Sequence, residues 1–243
     1  MVARRMNGSR KWLVGLACLA GVIIALVVHY RAWQKGPPLA EVVVASATAN
    51  THVAPLNLTN HYTSDLDIPW NQTSYPGDDL AELPRGVQEF DGVRFDIQGL
   101  IQLSSRVWKK RGCRFPEKVE GIPLHRACRN LYLLHADGGA NAPTGTTVAT
   151  LILHYGDGTS AEIPIQHNIH VKDWWNYGSP PPSDTNTVVA WTGQNRATAR
   201  MGKSLRLFKT RFENPSPQKR VDSLDYVSAM EDPGPFLVAV TVQ

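Results

Sequence analysis

Cysteine is scarce in this chain: three residues among 243, at positions 18, 113 and 128. Small secreted scaffolds knit by disulfides carry far more, so the fold must rest on a hydrophobic core. No CxxC pair occurs, and no histidine flanks a cysteine at ligand spacing, which removes the common structural zinc motifs. GxSxG, HExxH, a Walker A loop, GxGxxG after a strand and an EF-hand loop are all missing. The sequence therefore offers no signature of nucleophilic, zinc or nucleotide chemistry and implies no cofactor. Helical periodicity is nearly absent in the long C-terminal part. Long apolar runs are rare too, and past the first 36 residues none approaches the ~20 residues of a membrane span.

One such run does exist. Residues 12–28 are uninterruptedly apolar, preceded by Arg4, Arg5, Arg10 and Lys11 and closed by His29, Tyr30 and Arg31. At ~1.5 Å per residue they just cross a hydrocarbon core of about 30 Å. Trp12, Tyr30 and Trp33 stand where amphipathic rings favour the two interfaces. The run is longer than the roughly 7–15 residues of a cleavable signal core, and the nearest small-x-small sites (residues 45–47 and 47–49) lie far beyond it. It reads as an uncleaved signal anchor in preference to a cleaved peptide. The expected organisation is a cytoplasmic basic segment at 1–11, a transmembrane anchor at 12–30, a linker at 31–54 and one domain at 55–243. The basic excess before the span predicts a single-pass protein of the cell membrane, N-terminus in and C-terminal domain extracytoplasmic.

Charge follows the same division. The chain is +4 overall, yet the first 36 residues hold six Lys/Arg and no acid, leaving 19 basic against 21 acidic residues. The basic character belongs to the anchor, and no nucleic-acid-binding surface is implied. Cys18 falls in the apolar run as a small filler. Cys113 and Cys128 enclose a Gly/Pro-punctuated stretch and read either as a disulfide, which an oxidising compartment permits, or as two buried thiols.

The domain itself reads as all-β. Residues 92–103 alternate apolar and polar positions, and residues 130–136 form a short apolar run ending at Asp-Gly-Gly. Two alternating runs at 147–155 and 160–165 meet at Asp157-Gly158, the strongest short-range hairpin signal. Further strands are expected at 187–192, 204–212, 220–228 and 236–242. Many short strands with turn punctuation and hardly a helix predict an antiparallel sandwich or jelly roll.

Chemistry-bearing residues are few. His167 and His170 would share a metal only on a helix, and their surroundings are strand-to-loop. His135 and His154 lie in apolar runs and read as hydrogen-bonded core or edge residues. Asp137 and Asp157 precede glycines and read as turn residues. Asp173, Asp222, Asp225 and Glu231 could in principle pair for glycoside hydrolysis, without a motif to support it. The aromatic segment at 171–177 is more informative: Asp173, Trp174, Trp175 and Tyr177 fall in one loop-like stretch. Trp191, Asn195 and Arg196 add a ring, an amide and a guanidinium. Such residues suit a sugar, whose C–H faces stack on aromatics while planar polar groups fork to its hydroxyls; the alternative is that the tryptophans are core.

Several segments together resemble a known type of domain: residues 83–88 (LPRGVQ), 90–97 (FDGVRFDI), 131–135 (LYLLH), 153–158 (LHYGDG), 173–175 (DWW), 190–193 (AWTG) and 207–214 (LFKTRFEN). The set resembles a largely uncharacterised β-sandwich domain of bacterial extracytoplasmic proteins, similar to the galactose-binding-like jelly rolls of many carbohydrate-binding modules. The resemblance implies a jelly roll over nearly all of residues 57–243 and brings no active site with it. The expected function is non-catalytic binding of glycan or cell-envelope polymer, with Asp173, Trp174, Tyr177, Asn195 and Arg196 as ligand residues and Trp174 as the stacking platform. The alternatives are a structural or protein-interaction domain of a surface assembly and, less favoured, a glycoside hydrolase.

Overall fold

The computed structural model of the chain describes residues 53–70 and 75–243. The expected cytoplasmic segment, the anchor at 12–30 and the linker through residue 52 lie outside the described residues. Among the described residues no helix is long and apolar enough to cross a membrane. All of them belong to one unit, Thr51–Gln243.

The architecture is all-β and antiparallel, sandwich-like in its layering. One sheet runs in the order β1 (Ala54–Pro55), β13 (Gly234–Val242), β6 (Asn130–Gly138), β11 (Ser204–Glu213), β10 (Thr187–Gly193). Two short strands extend it: β4 (Ile101–Gln102) on β13 and β9 (Trp175–Asn176) on β11. The second sheet runs β5 (Lys118–Ala127), β12 (Arg220–Ser228), β7 (Thr147–Tyr155), β8 (Ser160–Gln166). A separate hairpin joins β2 (Gly86–Phe90) to β3 (Val93–Ile97), and two single-turn helices, α1 (Arg106–Lys110) and α2 (Arg196–Arg200), complete the fold.

Period-two patterning explains the four-stranded sheet. In β7, Ala149, Leu151 and Leu153 are fully buried while Thr150, Ile152 and His154 are half-exposed, so one face meets the core and the other meets water. Burying each leucine contributes roughly 1.5–3 kcal/mol. The turn closes as the residues demand: Gly158 adopts φ +83°, and Asp157 Oδ1 accepts from Thr159 N at 3.0 Å and from its hydroxyl at 2.6 Å.

The central strands of the other sheet, β13, β6 and β11, are buried almost throughout. Every residue of β13 is buried. One side shares the core with the four-stranded sheet; the other is covered by a layer containing Leu56, Leu58, Leu66, Leu80 and Leu83 together with β3, which packs on β13. Continuous apolar sequence is what two-sided burial requires.

Two expectations fail here. The stretch between Cys113 and Cys128 is no loop: it holds β5, ten residues long, whose Gly121 and Pro123 are accommodated because β5 is an edge strand with register shifts against β12. No disulfide joins the two cysteines. Cys128 sits in the turn before β6. Cys113 follows α1, its N–H bonding Trp108 O at 2.9 Å, and Trp108 packs on Gly139 just past the far end of β6. The length of β6 stands between the two cysteines, whereas a disulfide needs Cα atoms within about 7 Å. Both are buried, and burial pushes both thiols up from their ordinary pKa.

Candidate functional site

The site forms where β6 and β11 splay. Their register ends near Phe208 opposite His135, and the segment at residues 172–176 wedges into the gap beyond. Asp137 N donates to Lys172 O at 3.0 Å and Trp174 N donates to Asp137 O at 2.9 Å, pairing Asp173 beside Asp137. On the other side Arg206 N donates to Trp174 O at 2.8 Å, and Trp175 pairs with Leu205. The backbone of this aromatic stretch is therefore held on both edges, and successive side chains take opposite fates.

Trp174 turns inward. It is 3% exposed, 5.1 Å from the Trp70 ring and edge-on to Phe236 at 5.9 Å. That burial leaves little of its face open to stacking, although the ring does line the first lobe of the cleft. Trp175 turns to the rim, where its Nε1–H donates to Asp78 Oδ1 at 2.9 Å. Its ring lies between Tyr75 at 5.6 Å and Tyr177 at 5.9 Å, the latter stacked. Tyr177 is 55% exposed and Tyr75 47%. The accessible aromatic wall is thus tyrosine backed by tryptophan.

Asn195 and Arg196 lie nearby in a different capacity. Asn195 caps α2 in a capping box with Thr198, and its Nδ2–H donates to Asp78 Oδ1 at 3.2 Å and Asp79 O at 2.9 Å. It braces the loop that presents Tyr75 and Asp78. Arg196 is exposed, rests its Cβ against Gly77, and lines neither lobe of the cleft. These two expected ligand residues are structural supports, because helix capping claims one and loop packing the other. Asp173 and Tyr177 do line the cleft.

The cleft has two lobes of about 280 and 430 Å³ that share Ala140, Asn141, Asp173, Trp175 and Tyr177. Trp108 and Trp174 back the first lobe, seated on glycine. A Cβ at Gly138 would overlap Trp174, and one at Gly139 or Gly234 would overlap Trp108. Arg111 lies over the Trp108 ring at 4.9 Å and donates to Gly139 O at 3.1 Å. Lys172, Arg206, Ser179 and Asn168 shape the second lobe.

Behind the cleft lies a charge cluster that motif reading did not find. Asp137 is no turn residue: it belongs to β6 and is completely buried, with Oδ2 bonded to His167 Nδ1 at 2.6 Å. His167 Nε2 reaches Asn141 Oδ1 at 2.8 Å. Burial raises the Asp137 carboxyl, partly offset by His167. Asp173 is pushed up to about 7, by burial first and then by the Asp137 charge, although its Oδ1 accepts from Trp175 N at 2.8 Å. The remaining histidines have separate partners. His135 Nε2 bonds Thr210 Oγ1 at 2.8 Å, and burial lowers its pKa to about 3. His154 bonds Asp225 at 2.7 Å, and His170 Nδ1 accepts from Gln166 N at 3.1 Å. The only advance signal for the cluster was an apolar strand that runs on into Asp137 without changing period. Set against protein-family models, curated proteins and solved structures, the chain matches none.

Proposed function

We propose that the protein is a membrane-anchored, extracytoplasmic module of galactose-binding-like jelly-roll type that binds glycan or cell-envelope polymer in this cleft without chemical conversion. The observation that carries the reading is the Tyr75–Trp175–Tyr177 wall, a buried tryptophan faced by two exposed tyrosines, which lines the cleft together with Asp173 and Asn141. Apolar ring faces beside planar hydrogen-bonding groups match a sugar, which is apolar on its C–H faces and polar at its edges. The rings are presented by loops at the end of a rigid sheet, the usual place for a binding site on a β scaffold.

The proton inventory supports binding over hydrolysis. Tyr177 O–H is pushed up to about 12, by burial and then by Asp173, and holds its proton at neutral pH. Asp137 is sealed from solvent and committed to His167, so it reaches no substrate, and both nitrogens of His167 are engaged. A carboxylate pair working on one glycosidic bond needs both groups facing it; of the two acids lining the first lobe, Asp78 is buried and its Oδ1 already accepts from Trp175 Nε1–H and Asn195 Nδ2–H.

The decisive experiment is a glycan array probed with residues 51–243. Tyr177→Ala should abolish retention on the glycans that bind while leaving the thermal midpoint in place. An array with no binders would end the glycan reading and favour the protein-interaction alternative. Topology is tested separately: a reporter active only in the cytoplasm, fused after Gln243, should stay silent.

A further inference from the structure

The second lobe of the cleft contains two cations without an anionic bonding partner. Arg206 is 3% exposed, yet its Nε–H donates to Asp173 O at 3.1 Å, one Nη to Ser179 O at 2.8 Å and the other to Ser179 Oγ at 2.9 Å. None of these bonds goes to a carboxylate. Lys172 Nζ donates to Pro180 O at 2.9 Å, again a neutral oxygen. Burying a charge is costly unless it is paired. Elsewhere on the molecule the pairing is made: Arg106 meets Glu231 and Asp232, Lys219 meets Asp157, and Lys209 meets Asp91.

The lobe's acids act on these cations only through space: Asp173 and Asp137 favour the charge on Arg206, and Asp137 favours that on Lys172, but no hydrogen bond or ion pair joins either cation to a carboxylate, and Asp137 bonds His167 instead. The two cations also disfavour each other. Burial lowers the Lys172 pKa first, and the Arg206 charge lowers it further. Each still has N–H groups beyond those bonds, since an ammonium offers three donors and a guanidinium five.

We infer that this lobe receives an anionic group of the polymer, so that the ligand is an acidic glycan whose carboxylate or phosphate lies between Lys172 and Arg206 while its ring lies on Tyr177. The inference rests on the cleft being the binding site proposed above. A guanidinium and an ammonium converging on one oxyanion make charge-assisted hydrogen bonds, stronger than the neutral ones they now make.

The test uses the full chain in detergent micelles, titrated with three oligomers of equal length: galacturonate, glycerol phosphate and neutral cello-oligosaccharide. At low salt at least one acidic oligomer should bind about tenfold or more tightly than the neutral one. That advantage should shrink as salt is raised, because exposed charges are screened. Whichever acidic oligomer binds tells carboxylate from phosphate. Lys172→Gln, at a half-buried position, should erase most of the preference for the acidic oligomers. Arg206→Lys is a second variant that keeps the charge and loses the fork; it should weaken acidic binding selectively. Equal binding of acidic and neutral oligomers, or a preference that survives Lys172→Gln, overturns the inference and leaves the glycan reading standing. Failure of all three to bind overturns both.

Discussion

The β7–β8 hairpin and the aromatic segment at residues 171–177 lie a few residues apart in the chain and were built by different rules. In the hairpin a side chain's fate follows from its parity: Leu151 and Leu153 are in, Ile152 and His154 are partly out. In the segment it follows from the neighbours on either edge. Trp174 and Trp175 are both buried, and Tyr177, two residues further along the same backbone, is exposed. A half-exposed sheet writes its core into the sequence as a period. A segment wedged between splayed strands leaves no period, and its burial is decided by tertiary contacts.

That contrast can be broken experimentally. The largest effect should come from Trp174→Ala, which empties the pocket beside Trp70 and Phe236 and should cost about 3–5 kcal/mol in urea unfolding. A variant as stable as the parent would return Trp174 to the surface and erase the distinction. Leu153→Ala should cost roughly 2–5 kcal/mol, with glycan binding unchanged in the folded protein; lost binding would mean the hairpin reaches the site. Tyr177→Ala should reverse the pattern. Its stability should change by no more than about 0.5 kcal/mol, while affinity measured calorimetrically should fall by about 1–3 kcal/mol, on the scale of base stacking on aromatics.

The smallest effect is a slope. Asp173 keeps its proton to about pH 7 in the folded chain, whereas an unfolded carboxyl loses it near 4. Between those values the folded state binds more protons, so this group's contribution to stability is complete below about pH 4 and is lost as pH rises to 7. The groups facing it are Asp137 from β6, Arg206 from β11, His167 after β8, and Tyr177 and Trp175 N on its own segment. Asp173→Asn should flatten the stability profile over that window relative to the parent. Parallel profiles would place the carboxyl in contact with water.

Much of the fold was legible. The alternating runs and the Asp157-Gly158 turn placed β7, β8 and β12, and the apolar runs placed β6, β11 and β13. The strand β5 was hidden because Gly121 and Pro123 are breakers anywhere but on an irregular edge. The disulfide expectation failed on a matter of distance, which spacing along a chain does not encode. Of the expected ligand residues, Asp173, Trp174 and Tyr177 line the cleft, while Asn195 serves it indirectly through Asp78. Tyr75, Asn141, Lys172 and Arg206 were missed because they come from four separate segments and join only in three dimensions.

The glycines beneath the two indoles set how this protein can change over generations. Where Gly138, Gly139 and Gly234 stand, the backbone occupies the floor of the cleft, and even a methyl group would evict Trp108 or Trp174. Mutation at those three positions is closed to the lineage. Tyr75 and Tyr177 lie at the solvent edge of the same cleft and carry no such load. Drift there rewrites what is recognised without touching what holds the recogniser up. On the proposed binding function, one scaffold could follow a changing envelope polymer, provided its glycines stay still.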